Sequence, residues 1–295
     1  MTSATWPAPL APTPTPASQP AGAADAGPRL GTGDLERVCR LIHRHAGISL
    51  HEGKQAMIAG RLGRRLRATG HPSFAAYLDQ LERGRGAAGQ AEWQAFVNCL
   101  TTNLTAFFRE AHHFDALARS LQARPHAPWR IWCSAVSTGE EAYSVAMTAA
   151  EALGAQAELS ILASDIDTDV LETARRGVYA ADARGLGPER LRLHFQRGTG
   201  ANAGRIRVRP ELVQRVQWRR FNLAGDDWGA LGERFDAVFC RNVMIYFDAA
   251  TQRRVLQHMH AAMKPGALLF VGHSENFTDA ATLFRLRGKT VYERV

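Results

Sequence analysis

The chain has 295 residues, enough for about two compact domains, and its apolar content of 45 % supports a core without disulfide staples. It carries 36 Lys+Arg against 28 Asp+Glu, a formal +8, which favours an acidic partner but does not choose among nucleic acid, an anionic membrane surface and an acidic protein. Cys39, Cys99, Cys133 and Cys240 are scattered with no C-x-x-C pair, which argues against a zinc ribbon or a disulfide framework and fits a reduced cytoplasm. No stretch approaches the roughly 18 consecutive apolar residues of a spanning helix, and the N-terminus lacks a signal peptide's charged start and apolar run, so a cytoplasmic protein with no membrane insertion is expected.

Residues 1–29 hold seven of the thirteen prolines and eight alanines with almost no charge, the composition of a disordered tail. From residue 30 to 121 the pattern is helical. Val38, Leu41 and Ile42 recur at helix spacing, as do Ile58, Leu62 and Leu66, and glycines at 47, 70 and 84–89 cut the stretch into short helices. Residues 34–70 hold eight Lys+Arg against three acids, so this small all-α domain carries most of the excess charge.

Residues 122–295 read as alternating strands and helices, hence a mostly parallel sheet. Strands are predicted at 130–136, 159–164, 216–221, 235–240 and 267–272, with helices at 139–153, 168–177 and 249–263. The closing pair at 282–286 and 290–294 is too close for a crossover and should be an antiparallel hairpin. An antiparallel last strand marks class I S-adenosylmethionine methyltransferases among Rossmann-like folds. Between about 180 and 215 a Gly- and Arg-rich insert should form a small antiparallel β-subdomain, with 205–209 alternating as an edge strand would.

Ligands of open α/β sheets bind beyond the carboxyl ends of the strands. The first such turn, Ser137-Thr138-Gly139-Glu140-Glu141, has one glycine and two acids where a pyrophosphate would need G-x-G-x-x-G, which argues against NAD and nucleotides. A cationic ligand without phosphate tolerates those acids, and S-adenosylmethionine is one; alternatively, both acids only complement the helix dipole. Asp165 ends the second strand, where an acid accepts from a ribose diol, while Asp167 and Asp169 read as helix-start residues. After the fourth strand, Arg241 to Phe247 lacks the Pro-Pro turn of base-amine methyltransferases; Asn242 and Tyr246 are placed to touch cofactor and acceptor, and Met244, Ile245 and Phe247 read as core. Residues 101–110 suggest a ligand contact at the domain seam, the alternative being a helix cap at Thr102 or Asn103 with Phe107 and Phe108 in the core. No histidines have the i, i+4 spacing of a helical metal pair, and no metal is implied.

Residues 101–114 (TTNLTAFFREAHHF), 137–147 (STGEEAYSVAM), 163–167 (ASDID), 235–248 (FDAVFCRNVMIYFD) and 269–277 (LFVGHSENF) together resemble the CheR family of chemotaxis receptor methyltransferases. The resemblance spans residues 34–295 and implies transfer of a methyl group from S-adenosylmethionine to receptor glutamates. Carried over by position, it puts cofactor contacts on Asn103, Thr105, Arg109, Glu140, Asp165, Asn222, Leu223, Arg241 and Asn242. Within that set Glu140 takes the amino group, Asp165 the ribose, Asn222-Leu223 the adenine, and Arg109 a carboxylate of either cofactor or substrate. It also implies that the β-subdomain holds a receptor C-terminal pentapeptide by strand addition in some members.

Glutamate is already ionised at neutral pH, so methyl transfer to it needs no general base, and Arg109 and Tyr246 are the candidates for positioning and desolvation. Lys54, Arg61 and Arg65, with Arg64 adjacent, are expected to form a docking face for acidic chemoreceptor helices. The enzyme is expected to act as a monomer and not on nucleic acid. A nucleic-acid methyltransferase and a non-catalytic S-adenosylmethionine-binding scaffold are the competing readings.

Overall fold

The computed structural model describes residues 28–154, 158–277 and 281–295; most of the expected tail, residues 1–27, lies outside them. The chain opens with four helices, α1 (Thr32–Ala46), α2 (Gln55–Thr69), α3 (Phe74–Arg83) and α4 (Gly86–Leu100). Their apolar stripes are buried; on α2, Ile58, Leu62 and Leu66 are each no more than 1 % exposed. The glycine stretch at 84–89 does not simply break the chain. α4 starts within it, because Gly89 lets its first turn approach Gly84: a Cβ on Gly89 would lie 2.5 Å from the Gly84 carbonyl carbon.

Next come α5 (His112–Ala123), β1 (Trp129–Cys133), α6 (Glu140–Leu153), β2 (Leu159–Asp165), α7 (Thr168–Arg176) and β3 (Val178–Ala180). They are followed by α8 (Pro188–His194), β4 (Phe195–Arg197), β5 (Arg205–Val208), α9 (Pro210–Val213), β6 (Val216–Arg220) and β7 (Phe235–Cys240). The chain closes with α10 (Ala249–Ala262), β8 (Met263–Val271), β9 (Phe284–Gly288) and β10 (Val291–Arg294). Seven strands form one sheet in the order β6-β2-β1-β7-β8-β10-β9, with β6, β2, β1, β7 and β8 parallel and β10 antiparallel to both its neighbours. The strand order reverses between β1 and β7, which opens a crevice at their carboxyl ends.

Alternation along the strands splits the interior in two. Trp132, Leu162, Val238 and Cys240 face a core shared with α10 and the first four helices, while Ile131, Cys133, Ile161, Ala163, Ala237 and Phe239 face a second core with α5 and α6. The helix expected to close the all-α domain, α5, therefore packs on the far side of the sheet, and by packing the helical unit ends with α4. Its amphipathic sequence does not say which apolar layer it covers. The insert forms a three-stranded antiparallel sheet in the order β3-β5-β4, so β5 is its central strand, not the expected edge. The alternation of Arg205, Ile206, Arg207 and Val208 reflects one buried face, which a central strand of a two-faced sheet shares with an edge strand.

The helical unit is tied to the sheet by backbone and side chain. Ile48 bridges Phe247, Ser49 N–H donates to the Tyr246 carbonyl at 2.7 Å, and the Asn222 amide donates to the His45 carbonyl at 2.8 Å. His43 and Asp248, the N-cap of α10, pair at 2.6 Å.

Two of the four cations expected to dock a partner are engaged internally. On α2, Arg61 and Arg65 flank the buried stripe. Arg65 forms a two-point pair with Glu92 on α4, to which the Tyr77 hydroxyl also donates at 2.8 Å, and Arg61 donates to the Thr101 carbonyl at 2.5 Å. The basic helix thus reaches the domain seam through Arg61. Lys54 and Arg64 are exposed and have no ion-pair partner among the described residues. The Arg65–Glu92–Tyr77 network predicts that Arg65→Ala lowers unfolding free energy by about 1–3 kcal/mol in urea denaturation. Arg64→Ala should stay within about 0.5 kcal/mol of the parent, and equal losses would contradict this assignment.

Candidate functional site

At the strand reversal lies a cleft of about 390 Å³, within the usual range for small-molecule sites. Its walls are the seam segment 101–109, the turns after β1, β2, β6 and β7, and the α1–α2 connection. Asn103, Thr105, Arg109, Asp165, Asn222, Leu223, Arg241, Asn242 and Tyr246 all line it. The fold thus brings together residues spread over 144 positions of sequence, from Asn103 to Tyr246 inclusive. Lys54 lines it too, at the helical-domain side.

Asp165 is 8 % exposed, and burial pushes its carboxyl up to about 6. Its Oδ2 accepts from Ser137 N–H at 2.8 Å and its Oδ1 from Asp167 N–H at 3.0 Å, which leaves lone pairs for a ligand diol. Asp167 caps α7 as expected, and its other oxygen accepts from Asn103 Nδ2 at 2.8 Å and Thr101 Oγ1 at 2.6 Å. Neither Thr102 nor Asn103 caps a helix, because residues 101–106 are irregular, while Phe107 and Phe108 are buried as expected. The seam segment is therefore fastened to the end of β2 by side chains.

The first turn of α6 divides its acids. Glu141 lines the cleft, whereas Glu140 does not, its Oε2 accepting from Thr138 Oγ1 at 2.7 Å. Gly139, with φ +98°, makes this turn possible, since a Cβ there would lie 2.8 Å from the Ala174 Cβ. Glu141 Oε2 accepts from Arg241 Nη1 at 3.1 Å, and Arg241 also reaches Glu110 Oε2 at 3.4 Å and the Arg109 carbonyl. Two buried carboxylates share one guanidinium, so burial pushes Glu141 up to about 7 despite that partner. Glu141 Oε1, Glu110 Oε2 and Arg241 Nε are buried without hydrogen-bond partners among the described residues. An acid of this kind on the cleft wall suits a cationic ligand group.

Sequence reasoning missed Glu275, which lies within a quoted motif but received no role. Its carboxylate accepts from Asn242 N–H at 2.9 Å, Val243 N–H at 2.9 Å, Met244 N–H at 2.8 Å and Gly272 N–H at 2.6 Å. Burial pushes its carboxyl up, and the four N–H bonds oppose that. Asn242 is held at φ +58°, and Phe108, Glu110 and Ser137 are also left-handed, at +50°, +59° and +50°, so backbone strain gathers at this cleft. Met244 and Phe247 are buried as expected, but Ile245, read as core, is 48 % exposed on the cleft. The tight turn drawn in by Glu275 points Met244 and Phe247 inward and turns Ile245 between them outward.

Residues 33–101 match the family model described as CheR methyltransferase, all-alpha domain, and residues 103–293 match CheR methyltransferase, SAM binding domain. The chain is 50% identical over 265 residues to a chemotaxis protein methyltransferase of Salmonella typhimurium, covering 89% of this chain and 90% of that protein. It is 48% identical over 265 residues to that of Escherichia coli, covering 89% and 91%, and 51% identical over 263 residues to chemotaxis protein methyltransferase 2 of Pseudomonas aeruginosa, covering 88% and 92%. No helix among the described residues is long and apolar enough to cross a membrane.

Glu275→Gln keeps the shape but offers one acceptor oxygen and sets an amide donor against backbone donors. It should lower stability by about 2–4 kcal/mol, read by urea denaturation, and a loss below about 1 kcal/mol would show that the four bonds do not hold the turn.

Proposed function

The chain belongs to the CheR methyltransferase family, S-adenosylmethionine-dependent methyltransferases of chemotaxis, and from that premise we propose that it methylates glutamate side-chain carboxylates on cytoplasmic helices of chemoreceptors. The observation that carries the reading is the double lining of the cleft: the acids Asp165 and Glu141 beside the strand ends, with Glu141 paired to Arg241, and the cations Arg109 and Lys54, without ion-pair partners among the described residues, on the side of the seam and helical unit. That polarity suits a cationic cofactor below and an anionic acceptor above.

The cofactor supplies an electrophilic methyl group on a sulfonium. Asp165 receives the ribose diol, and the amino group falls to the acidic first turn of α6, where Glu141 lines the cleft and Glu140 stands beside it. The Asn222 amide is committed to the His45 carbonyl and to Ala224 N–H, so adenine recognition rests on the backbone at 222–223 and on the buried Leu223 side chain. Asn103 and Thr105 close the seam over the cofactor, and Arg241 and Asn242 bound it from β7. Arg109, which donates to the Leu104 carbonyl at 3.1 Å, is placed to hold a carboxylate. The Tyr246 hydroxyl has no partner among the described residues and can donate to the acceptor oxygen that does not attack. With an ionised acceptor no proton is removed, so rate comes from alignment and exclusion of water. Lys54 and Arg64 are the exposed cations left to meet an acidic helix, and the β-subdomain offers free strand edges on β3 and β4 for a receptor C-terminal peptide.

Incubation with methyl-labelled S-adenosylmethionine and a receptor cytoplasmic fragment should place label on glutamates as alkali-labile esters; base-stable label would refute carboxyl methylation, and label on nucleic acid instead would favour the competing enzyme class. Asp165 and Glu141 should both be ionised for full affinity. S-adenosylhomocysteine binding by calorimetry should therefore be flat above about pH 8, weaken toward about tenfold per pH unit between about 7 and 6, and approach about a hundredfold per pH unit below that. Asp165→Asn should bind more weakly and lose the lower step, and an unchanged profile would remove Asp165 from the diol role.

A further inference from the structure

Among the described residues five large apolar side chains are exposed, and two of them, Leu104 at 81 % and Ile245 at 48 %, lie on the catalytic cleft. One comes from the seam segment and the other from the turn after β7, two separate walls. Neither exposure is fraying. The Leu104 carbonyl accepts from Arg109, and Ile245 sits between Met244, whose N–H is held by Glu275, and Tyr246, whose carbonyl accepts from Ser49 N–H. The backbone is fixed on both sides, so the fold itself presents these side chains to solvent.

We infer that Leu104 and Ile245 form an apolar docking rim for the acceptor helix, gripping apolar side chains one turn before and after the target glutamate. The inference rests on the carboxyl-methylation reading. A helix presents positions three or four apart on the same face, so a glutamate entering the cleft brings those neighbours against the walls on either side of it. Lys54 and Arg109 line the same cleft and complement the carboxylate, which commits the occupant to an amphipathic helix with an acid between apolar flanks. Cations alone would hold water around the acceptor. An apolar rim pressed against the helix adds docking contact that this hydrated charge pairing does not supply. Specificity then depends on the apolar-Glu-apolar pattern at helical spacing as well as on charge.

The test is steady-state methylation of a receptor fragment by the full chain and by a Leu104→Ser/Ile245→Ser double variant. KM for the receptor should rise about tenfold, with kcat within about twofold and S-adenosylhomocysteine affinity unchanged, as expected for lost apolar contact in docking. The rise should persist at high salt, since apolar contacts are not screened, whereas any effect of Lys54→Ala should fade. Replacing the apolar flanks of the target glutamate by serine should raise KM for the unsubstituted enzyme equally and add little in the double variant. An active enzyme whose KM is unmoved by the rim and flank substitutions, or moved only at low salt, would overturn the rim while leaving carboxyl methylation intact. Failure of the unsubstituted enzyme to form any glutamyl ester would overturn the underlying reading instead.

Discussion

A single carboxylate accepting four backbone N–H groups governs the geometry of the cleft. Glu275 joins the exit of β8, through Gly272, to the exit of β7, through Asn242, Val243 and Met244. Burying a carboxylate is costly unless its lone pairs are satisfied, and here the donors are backbone groups of a turn that makes few bonds of its own. The bonds hold Asn242 in the left-handed region and fix the path of residues 244–247. From there the order passes outward: Tyr246 and Phe247 pair with Ser49 and Ile48, and that pairing sets the helical unit over the cleft. Gly272 crosses closely under Asn242: a Cβ there would lie 2.3 Å from the Asn242 side-chain Nδ2 and 3.0 Å from its backbone nitrogen, so a larger residue would displace that side chain.

Behind this turn a buried charge cluster sets the electrostatics. Arg241 serves Glu141 and Glu110 at once, leaving an acid on the cleft wall whose ionisation is finely balanced. Glu110 also accepts from His273 N–H at 3.2 Å and lies 3.5 Å from the ring of His113, which burial and Arg241 push down to about 3, so this histidine is neutral. A fully charged cluster would resist burial, and a neutral one would not attract a cationic ligand. An acid that titrates near neutrality, beside a fixed guanidinium, lies between those limits.

If the acceptor is the proposed carboxylate, the nucleophile is already an anion and the protein needs no base, so what remains is to orient, desolvate and exclude competitors. The residues that could do so come from both units: Arg109 from the seam, Tyr246 from the sheet, Lys54 from the helical unit. Neither unit alone forms the cleft.

Much of this was legible in the sequence. Period-two and period-3.6 patterns locate β1, β2, β6 and β7 and the helices α6, α7 and α10 within a few residues, because burial on one or two faces leaves a local imprint. The motif segments hold seven of the nine expected residues that line the cleft, and four of these, Asp165, Arg241, Asn242 and Tyr246, lie at or just after the ends of parallel strands, where polar residues have few other uses. What the chain pattern could not show was partnership. An amphipathic helix does not name the layer it covers, so α5 reads as the last helix of the all-α domain although it packs with α6 against the sheet. An arginine on a basic helix does not declare whether it meets solvent or, like Arg65, a glutamate on a neighbouring helix. Three apolar residues within a four-residue stretch read as core until a turn closed by a remote carboxylate turns one outward, as with Ile245. Local free energy is written in the order of residues, whereas the pairing of Glu275 with the β7 exit, of Arg65 with Glu92 and of Ile245 with solvent depends on distances that exist only once the sheet has closed.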